Sequence, residues 1–346
     1  MLLGDGAAKT KVIAEISGNH NGSLDLMLKS IKSAHEAGAD AVKIQTYEPS
    51  TMTLDSDRDE FQVRDGLWKG HSLYELYEKA HTPYAWHKEI FDFAKKNNIF
   101  LFSTAFDETA VDLLESLDCP IYKIASFEIT DTPLIEYVAK TGKPMIISTG
   151  MSSLEEIGEA VEAAKRAGAI DITLMHCISA YPTPLEETRL DNMRILREEF
   201  GLDAGFSDHT QGTEAALLAS MLGATVIEKH FTFSRADEGV DSKFSLEPEE
   251  LSKLVENIQK IHGAIKHLDK FERPEIERSS LKFRRSLYFS RDLDAGHVLS
   301  LEDIRRVRPG FGMTPSKLNS VIGKTLVSRV HFGQRVSSEF LSTEAS

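Results

Sequence analysis

Eight short apolar and β-branched runs recur along the chain, and segments with helical periodicity lie between most of them. The runs are "VIAEIS" from Val12, "AVKIQT" from Ala41, "IFLFSTAF" from Ile99 and "IYKIASFE" from Ile121, then "PMIISTGM" from Pro144, "ITLMHCIS" from Ile172, "AGFSDH" from Ala204 and "TVIEKHF" from Thr225. In "SLDLMLKSIKSAHEAGAD", Leu24, Met27, Leu28, Ile31 and Ala34 fall on one helical face, Ser23 can cap the start and Gly38 the end. The segments that begin at Ser153 and follow Gly212 have the same pattern. Eight strands alternating with helices predict an α/β fold, a closed parallel barrel of the TIM (β/α)8 type. A doubly wound open sheet is the other option, but no Gly-x-Gly-x-x-Gly follows the first run.

A chain of 346 residues, 41% of them hydrophobic, suits one large domain plus a small one, or two medium domains. Its formal net charge of -14 argues against general binding to nucleic acid or to a membrane surface. An anionic substrate stays open, because a local cluster of Lys and Arg can invert the field inside a cleft. Cys119 and Cys177 have neither zinc-type spacing nor a disulfide framework, so a reducing cytoplasm is expected. "MLLGDGAAKT" lacks a basic n-region and a long apolar h-region, so no signal peptide is expected. No apolar run is long enough to span a bilayer.

Two segments depart from the barrel pattern. From Glu48 to about His81 the chain is too long for a plain strand-to-helix connection. Trp68, Tyr74 and Tyr77 there predict an ordered, packed excursion. Beyond about residue 281, "DAGHVLSLEDI" is echoed by "HFGQRVSSEFL", each with a Gly turn, a short apolar pair and a Ser that looks like a helix start. A small pseudo-symmetric β-rich domain is expected over 285–346, after a charged, Pro-containing linker at 271–284 and a barrel over 1–270. "KFRRS" and "IRRVRPG" concentrate basic residues in this region.

Active sites of such barrels lie at the C-terminal ends of the strands. Side-chain alternation points Lys43, Gln45 and Lys123 inward, while Val42, Ile44 and Ile124 face the helices. Two inward lysines need anionic partners. Either Glu15, Glu128 or Glu228 pairs with them in a static network, or the lysines bind the phosphate or carboxylate of a substrate. Thr104, Ser126, Ser148 and Ser207 lie at or near strand ends and can donate to an anion's oxygens. His209 ends the seventh strand and His230 the eighth. Adjacent strands can bring the two imidazoles to one divalent metal, and two nitrogen ligands with open positions suit Mn²⁺, Fe²⁺ or Co²⁺.

The stretches "AEISGNHNGS", "VKIQTY", "YKIASFE", "ISTGMSS", "HCISAYPTP", "GFSDHTQG" and "EKHFTF", followed by the "RRS" and "RPG" runs, closely resemble the sialic acid synthase family. That family condenses phosphoenolpyruvate with an amino-sugar aldehyde. The resemblance covers nearly the whole chain, and the C-terminal segment looks like the family's antifreeze-like (SAF) domain. It implies a domain-swapped homodimer in which this domain reaches over the partner's barrel.

Position by position, the resemblance makes His209 and His230 metal ligands, Mn²⁺ first and Mg²⁺ or Co²⁺ as alternatives. It assigns Lys43, Thr104, Lys123, Ser126, Ser148 and Ser207 to phosphoenolpyruvate, with Ser179 as a weaker member. Glu128 becomes an acid–base group beside Glu15 as a second active-site carboxylate, with Lys43 and Lys123 part of the catalytic set. Gln45, Tyr181, Asp241 and Arg308 face the sugar, Arg308 from the partner subunit. Glu228 and Lys229 receive no chemistry. Ser179 departs from the family, whose members acting on N-acetylmannosamine commonly carry Asn there. That departure leaves the sugar's identity open, and "DGLWKGHSLYELYEKAHTP", which looks most like the pseudaminic acid synthase branch, implies a 2,4-diacetamido-2,4,6-trideoxy sugar of L-altrose configuration. The alternatives are N-acetylneuraminate or legionaminate synthesis, a class I aldolase with a Schiff base on Lys43 or Lys123, and a non-catalytic sugar- or metal-binding module.

Overall fold

The computed structural model describes residues 9–66, 68–265 and 271–343. Most of the opening segment, Leu67 of the excursion and residues 266–270 lie outside the described residues. The chain clusters into two compact units, Met1–Lys266 and His267–Ser346.

The first unit is built on β1 (Lys11–Glu15), β2 (Ala41–Thr46), β3 (Leu101–Ala105), β4 (Tyr122–Ile124), β5 (Met145–Ser148), β6 (Ile172–Cys177), β7 (Asp203–Asp208) and β8 (Val226–His230). They form a closed parallel barrel in sequence order, and β1 pairs with β8 so that Glu15 stands opposite His230. Each expected strand is present: β2 coincides with its run, β7 is shifted by one residue, and the other six are shorter than theirs. Alternation sorts each strand: Val42 and Ile44 join the apolar core, whereas Lys43 and Gln45 line a central cavity.

The first helix, Leu24–Glu36, starts where expected, the Ser23 hydroxyl accepting from the Leu26 amide at 3.3 Å. Met27, Ile31 and Ala34 are buried on its inner face. Burying Met27 and Ile31 contributes about 1.5–3 kcal/mol each, so Ile31→Asp would undo the packing of this helix. Ser153 and Glu156 form a reciprocal cap at the head of the helix Leu154–Arg166.

The excursion after β2 is ordered, as its aromatic content predicts. It contains helices Pro49–Met52 and Leu73–Ala80, joined through a bridge between Gln62 and Ser72. Ser72 and Glu75 cap the second helix reciprocally. The Trp68 indole donates to the Val240 carbonyl at 3.0 Å, and Tyr77 packs edge-on to Tyr47. Tyr74 does not line the cavity.

The second unit has its own core, which includes Leu287, Phe289, Leu293, Ile304, Val330 and Val336. β9 (Ser286–Phe289) pairs antiparallel with β10 (Ile304–Val307), and single bridges join Leu293 to Val330 and Leu326 to Leu341. The two echoed segments are built alike, each running from a Gly turn into a three-residue 3₁₀ turn, Leu301–Asp303 and Ser338–Phe340. Neither grows into the helix that its Ser implies. After Asp303 the chain passes directly into β10, which takes the backbone groups a helix would need. Among the described residues no helix is long and apolar enough to cross a membrane.

Candidate active site

Strand register assembles the site. Glu15 lies opposite both Lys43 and His230, Gln45 opposite Thr104, Thr104 opposite Lys123, and Ser207 opposite Glu228. These side chains line one cavity of about 390 Å³ in the first unit. Ser126, Ser148, Glu128, Tyr181, His209 and Asp241 line it too, so most of the expected residues converge on one place.

The two lysines are internally paired. Lys43 Nζ lies 2.7 Å from Glu15 Oε2 and 3.7 Å from Glu228 Oε1, and donates to Thr104 Oγ1 at 2.8 Å. Lys123 Nζ donates to both Glu228 oxygens at 3.1 Å. Burial acts to raise the Glu228 carboxyl, but the charges of Lys123 and Lys43 outweigh it and hold it at about 2. Burial likewise acts to lower the Lys43 ammonium, and Glu15 and Glu228 reverse this and hold it above its ordinary value. Lys123 moves the other way, lowered by burial and by the neighbouring Lys43 despite Glu228. Two ammoniums facing two carboxylates are balanced, so their charge alone does not demand an anion. Glu15 and Glu228, two of the three carboxylates the sequence offers as partners, pair with the lysines, and Glu128 does not; Glu228 is the one to which the resemblance gave no chemistry. Its signal was there: it stands two positions before His230, on the same side of β8.

Unsatisfied atoms are more telling than the balanced charges. Among the described residues, Ser148 Oγ, Glu128 Oε2 and His230 Nδ1 are buried without a hydrogen-bond partner, and all three residues line this cavity. Glu128 pairs with neither lysine. Burial pushes its carboxyl up to about 7, against a lowering backbone hydrogen bond. Ser126 and Ser179 share a hydrogen bond at 3.0 Å, and Ser179 stands behind Ser126 rather than on the cavity wall. Gly150 holds this corner open, because a Cβ there would meet Ser179 Oγ at 2.4 Å and Cys177 Sγ at 2.8 Å.

The two imidazoles come together, with ring centroids 5.5 Å apart. His209 Nδ1 lies 2.8 Å from the Ile178 carbonyl, which can only accept, so Nδ1 carries the proton and Nε2 keeps its lone pair. Burial, helped by His230, pushes His209 down to about 3 and keeps it neutral. His230 Nδ1 lies 3.5 Å from Asp241 Oδ2, too long for a formed hydrogen bond. A neutral imidazole beside an orphaned one fits a divalent ion bound by two nitrogens. Among the described residues no cluster of three or more His, Cys, Asp and Glu side chains is arranged to hold a metal.

Lys229, between Glu228 and His230, pairs instead with Asp208 at 3.0 Å and donates to the Thr210 carbonyl, a structural role. Arg308 lies in the second unit, exposed just beyond β10. The aromatic wall was not legible as site residues. Met52, Val63, Trp68, Leu76 and Tyr77 of the excursion line the cavity, joined by Tyr47 and Phe106. Trp68 packs 5.6 Å from Tyr181, whose ring stands 4.4 Å from His209. No local pattern marks these residues, because they reach the cavity only when the excursion folds back over the barrel end.

The model of the NeuB family matches residues 30–270, and that of the SAF domain matches residues 284–337. A pseudaminic acid synthase of Campylobacter jejuni is 42% identical over 94% of this chain and 94% of its own length. An N,N'-diacetyllegionaminic acid synthase of the same species is 39% identical, over 91% of this chain and 95% of its own. Among solved structures, an N-acetylneuraminic acid (sialic acid) synthetase of Leptospira borgpetersenii is similar with a TM-score of 0.71 at 32% identity, covering 81% of this chain and 92% of that one.

Proposed function

The chain belongs to the NeuB family, and from that premise we propose that it condenses phosphoenolpyruvate with an open-chain 2,4-diacetamido-2,4,6-trideoxy-L-altrose and water to give pseudaminic acid and phosphate. The observation that carries this reading is a two-sided cavity: lysines, hydroxyls and orphaned polar atoms on the barrel side, an aromatic and aliphatic wall on the other. The polar side suits the anion, and the wall suits a sugar with two acetyl methyls and a deoxy carbon.

In this proposal Lys43, Lys123, Thr104, Ser126, Ser148 and Ser207 hold phosphoenolpyruvate, Ser179 acting through Ser126. The charged lysines set its carboxylate and phosphate, and Ser148 Oγ gains the partner it lacks. Gln45, Tyr181 and Asp241 face the sugar. Mn²⁺, or Mg²⁺ or Co²⁺ in its place, held by His209 and His230 would supply polarisation of the sugar aldehyde. Carbon 3 of phosphoenolpyruvate attacks the aldehyde carbon, and Glu128, protonated below pH 7, can donate to the resulting alkoxide. Water adds at carbon 2, with Glu15 as the carboxylate able to take its proton. The tetrahedral centre then expels phosphate with cleavage of its C–O bond. Positioning supplies most of the acceleration, up to about 7–11 kcal/mol in favourable cases. The chain is a domain-swapped homodimer in the same proposal, Arg308 reaching the partner's sugar. Two free, buried thiols suit the reducing cytoplasm in which we place it.

The test is phosphate release from phosphoenolpyruvate with Mn²⁺, the diacetamido sugar compared with N-acetylmannosamine. Release with the diacetamido sugar alone is expected. Release with N-acetylmannosamine would keep the chemistry and overturn the sugar assignment. Silence with both in folded, metal-loaded protein would overturn the sugar assignment and call for other sugar aldehydes, and silence with those too would overturn the synthase. A Schiff base on Lys43 is disfavoured because Glu15 and Glu228 keep that amine protonated, whereas Lys123, lowered by burial, is the amine an aldolase would use. Borohydride with pyruvate should leave the protein unlabelled, and a label on Lys123 would favour the aldolase.

A further inference from the structure

The loop that leaves β1 contains a serine where backbone geometry favours glycine. Ser17 has φ +51°, in the left-handed region that a side chain disfavours. The neighbouring glycine is used for something else. At Gly18 a Cβ would meet Val240 Cγ2 at 2.6 Å and Ala80 Cβ at 3.0 Å, so that position must stay bare for the loop to pack. The turn is thus left to Ser17, and its side chain is retained despite the strain.

That side chain is buried and fully engaged. Its hydroxyl donates to Asp241 Oδ2 at 2.5 Å and accepts from Gln45 Nε2 at 3.2 Å. Gln45 donates in turn to Glu15 Oε1 at 2.9 Å. On the far side, the Asp241 amide donates to Asn19 Oδ1 at 3.1 Å, and Asn19 is anchored by donating to the Phe231 carbonyl and to Ser245. The outcome is one continuous rail, Glu15–Gln45–Ser17–Asp241, along the cavity wall. An amide and a carboxylate from distant parts of the chain are held at fixed separation by a single hydroxyl.

We propose that Ser17 is a positioning residue for the sugar: with both Gln45 N–H groups spent on Glu15 and Ser17, it sets the free Gln45 Oε1 and the Asp241 carboxylate as paired acceptors for the hydroxyl and amide N–H groups of the acyclic amino sugar. This deepens the functional reading above and rests on it. The Ser17 hydroxyl bonds Asp241 and Gln45, not the lysines or the anion-binding hydroxyls. Its loss should therefore separate the two substrates: the sugar is held less well and phosphoenolpyruvate is not.

Two variants test it, with steady-state phosphate release, calorimetric sugar binding and thermal melting as readouts. The sugar used is whichever one makes the unaltered protein release phosphate. A wrong sugar assignment therefore shows in the unaltered protein, and a wrong role for Ser17 shows only in the variants. Ser17→Gly relieves the left-handed strain and removes the hydroxyl. It is expected to melt no lower than the unaltered protein, to raise the sugar KM and Kd about tenfold, and to leave the phosphoenolpyruvate KM within about twofold. Ser17→Ala keeps the strain, and should show the same split with a lower melting temperature. A sugar KM unchanged in both variants would overturn the proposal. So would equal weakening of both substrates with a lowered melting temperature in Ser17→Gly, the signature of a merely structural serine.

Discussion

Glu228 makes contact with both site lysines. Replacing it by Gln leaves two buried ammoniums facing Glu15 alone. Glu228→Gln should lower stability by about 3–5 kcal/mol, the scale of a buried pair broken on one side. Phosphoenolpyruvate can supply the missing negative charge, so it should raise the melting temperature of this variant more than that of the unaltered protein. Equal shifts would mean that the lysines do not hold the anion. Glu128 poses a question of protonation. Its carboxyl sits at about 7 against an ordinary 4.5, so the native state binds the proton more tightly than the unfolded chain. The stability this provides is complete below pH 4.5 and is lost as pH rises through 7. As the proposed proton donor it should also give kcat a descending limb near pH 7, absent in Glu128→Gln. A limb that survives the substitution would assign it to another group.

At the scale of elements, β8 shows how one strand divides its work. Glu228 and His230 face the cavity, while Lys229 between them is consumed by Asp208 and Thr210. The excursion between β2 and β3 adds an aromatic wall to a barrel end that would otherwise be polar. Its contact through Trp68 joins the loop around Val240 to Tyr181. Trp68→Ala should raise the sugar KM about tenfold, the scale of one or two apolar groups lost from a pocket, and leave the phosphoenolpyruvate KM nearly constant. Equal effects on both substrates in steady-state assays would reduce the wall to a lid without a part in recognition.

For the whole molecule, the proposed exchange of domains makes each site depend on two chains. Arg308→Ala and His209→Ala should each inactivate on their own. After unfolding and refolding together, mixed dimers would hold one site with both changes and one with neither, so about a quarter of the sites recover activity. Size-exclusion light scattering should give twice the chain mass of 38.5 kDa. A dimer with no recovered activity would place Arg308 over its own barrel or outside the site.

Local chemistry alone determined much of this protein. The eight strands, the capping serines Ser23 and Ser153 and the inward parity of Lys43, Gln45 and Lys123 follow from periodicity and from short-range hydrogen bonding, which act within a few residues. Parity also placed the hydroxyls and both imidazoles at strand ends. Which charge meets which was another matter. Glu228 and Lys123 are 105 positions apart, and Ser17 and Asp241 are 224 apart. Their pairing is decided by barrel closure, which fixes strand order and register. The aromatic wall likewise depends on how the excursion folds back. A sequence pattern states the face and the end of a strand, but the partner of a buried polar group is a property of the closed barrel.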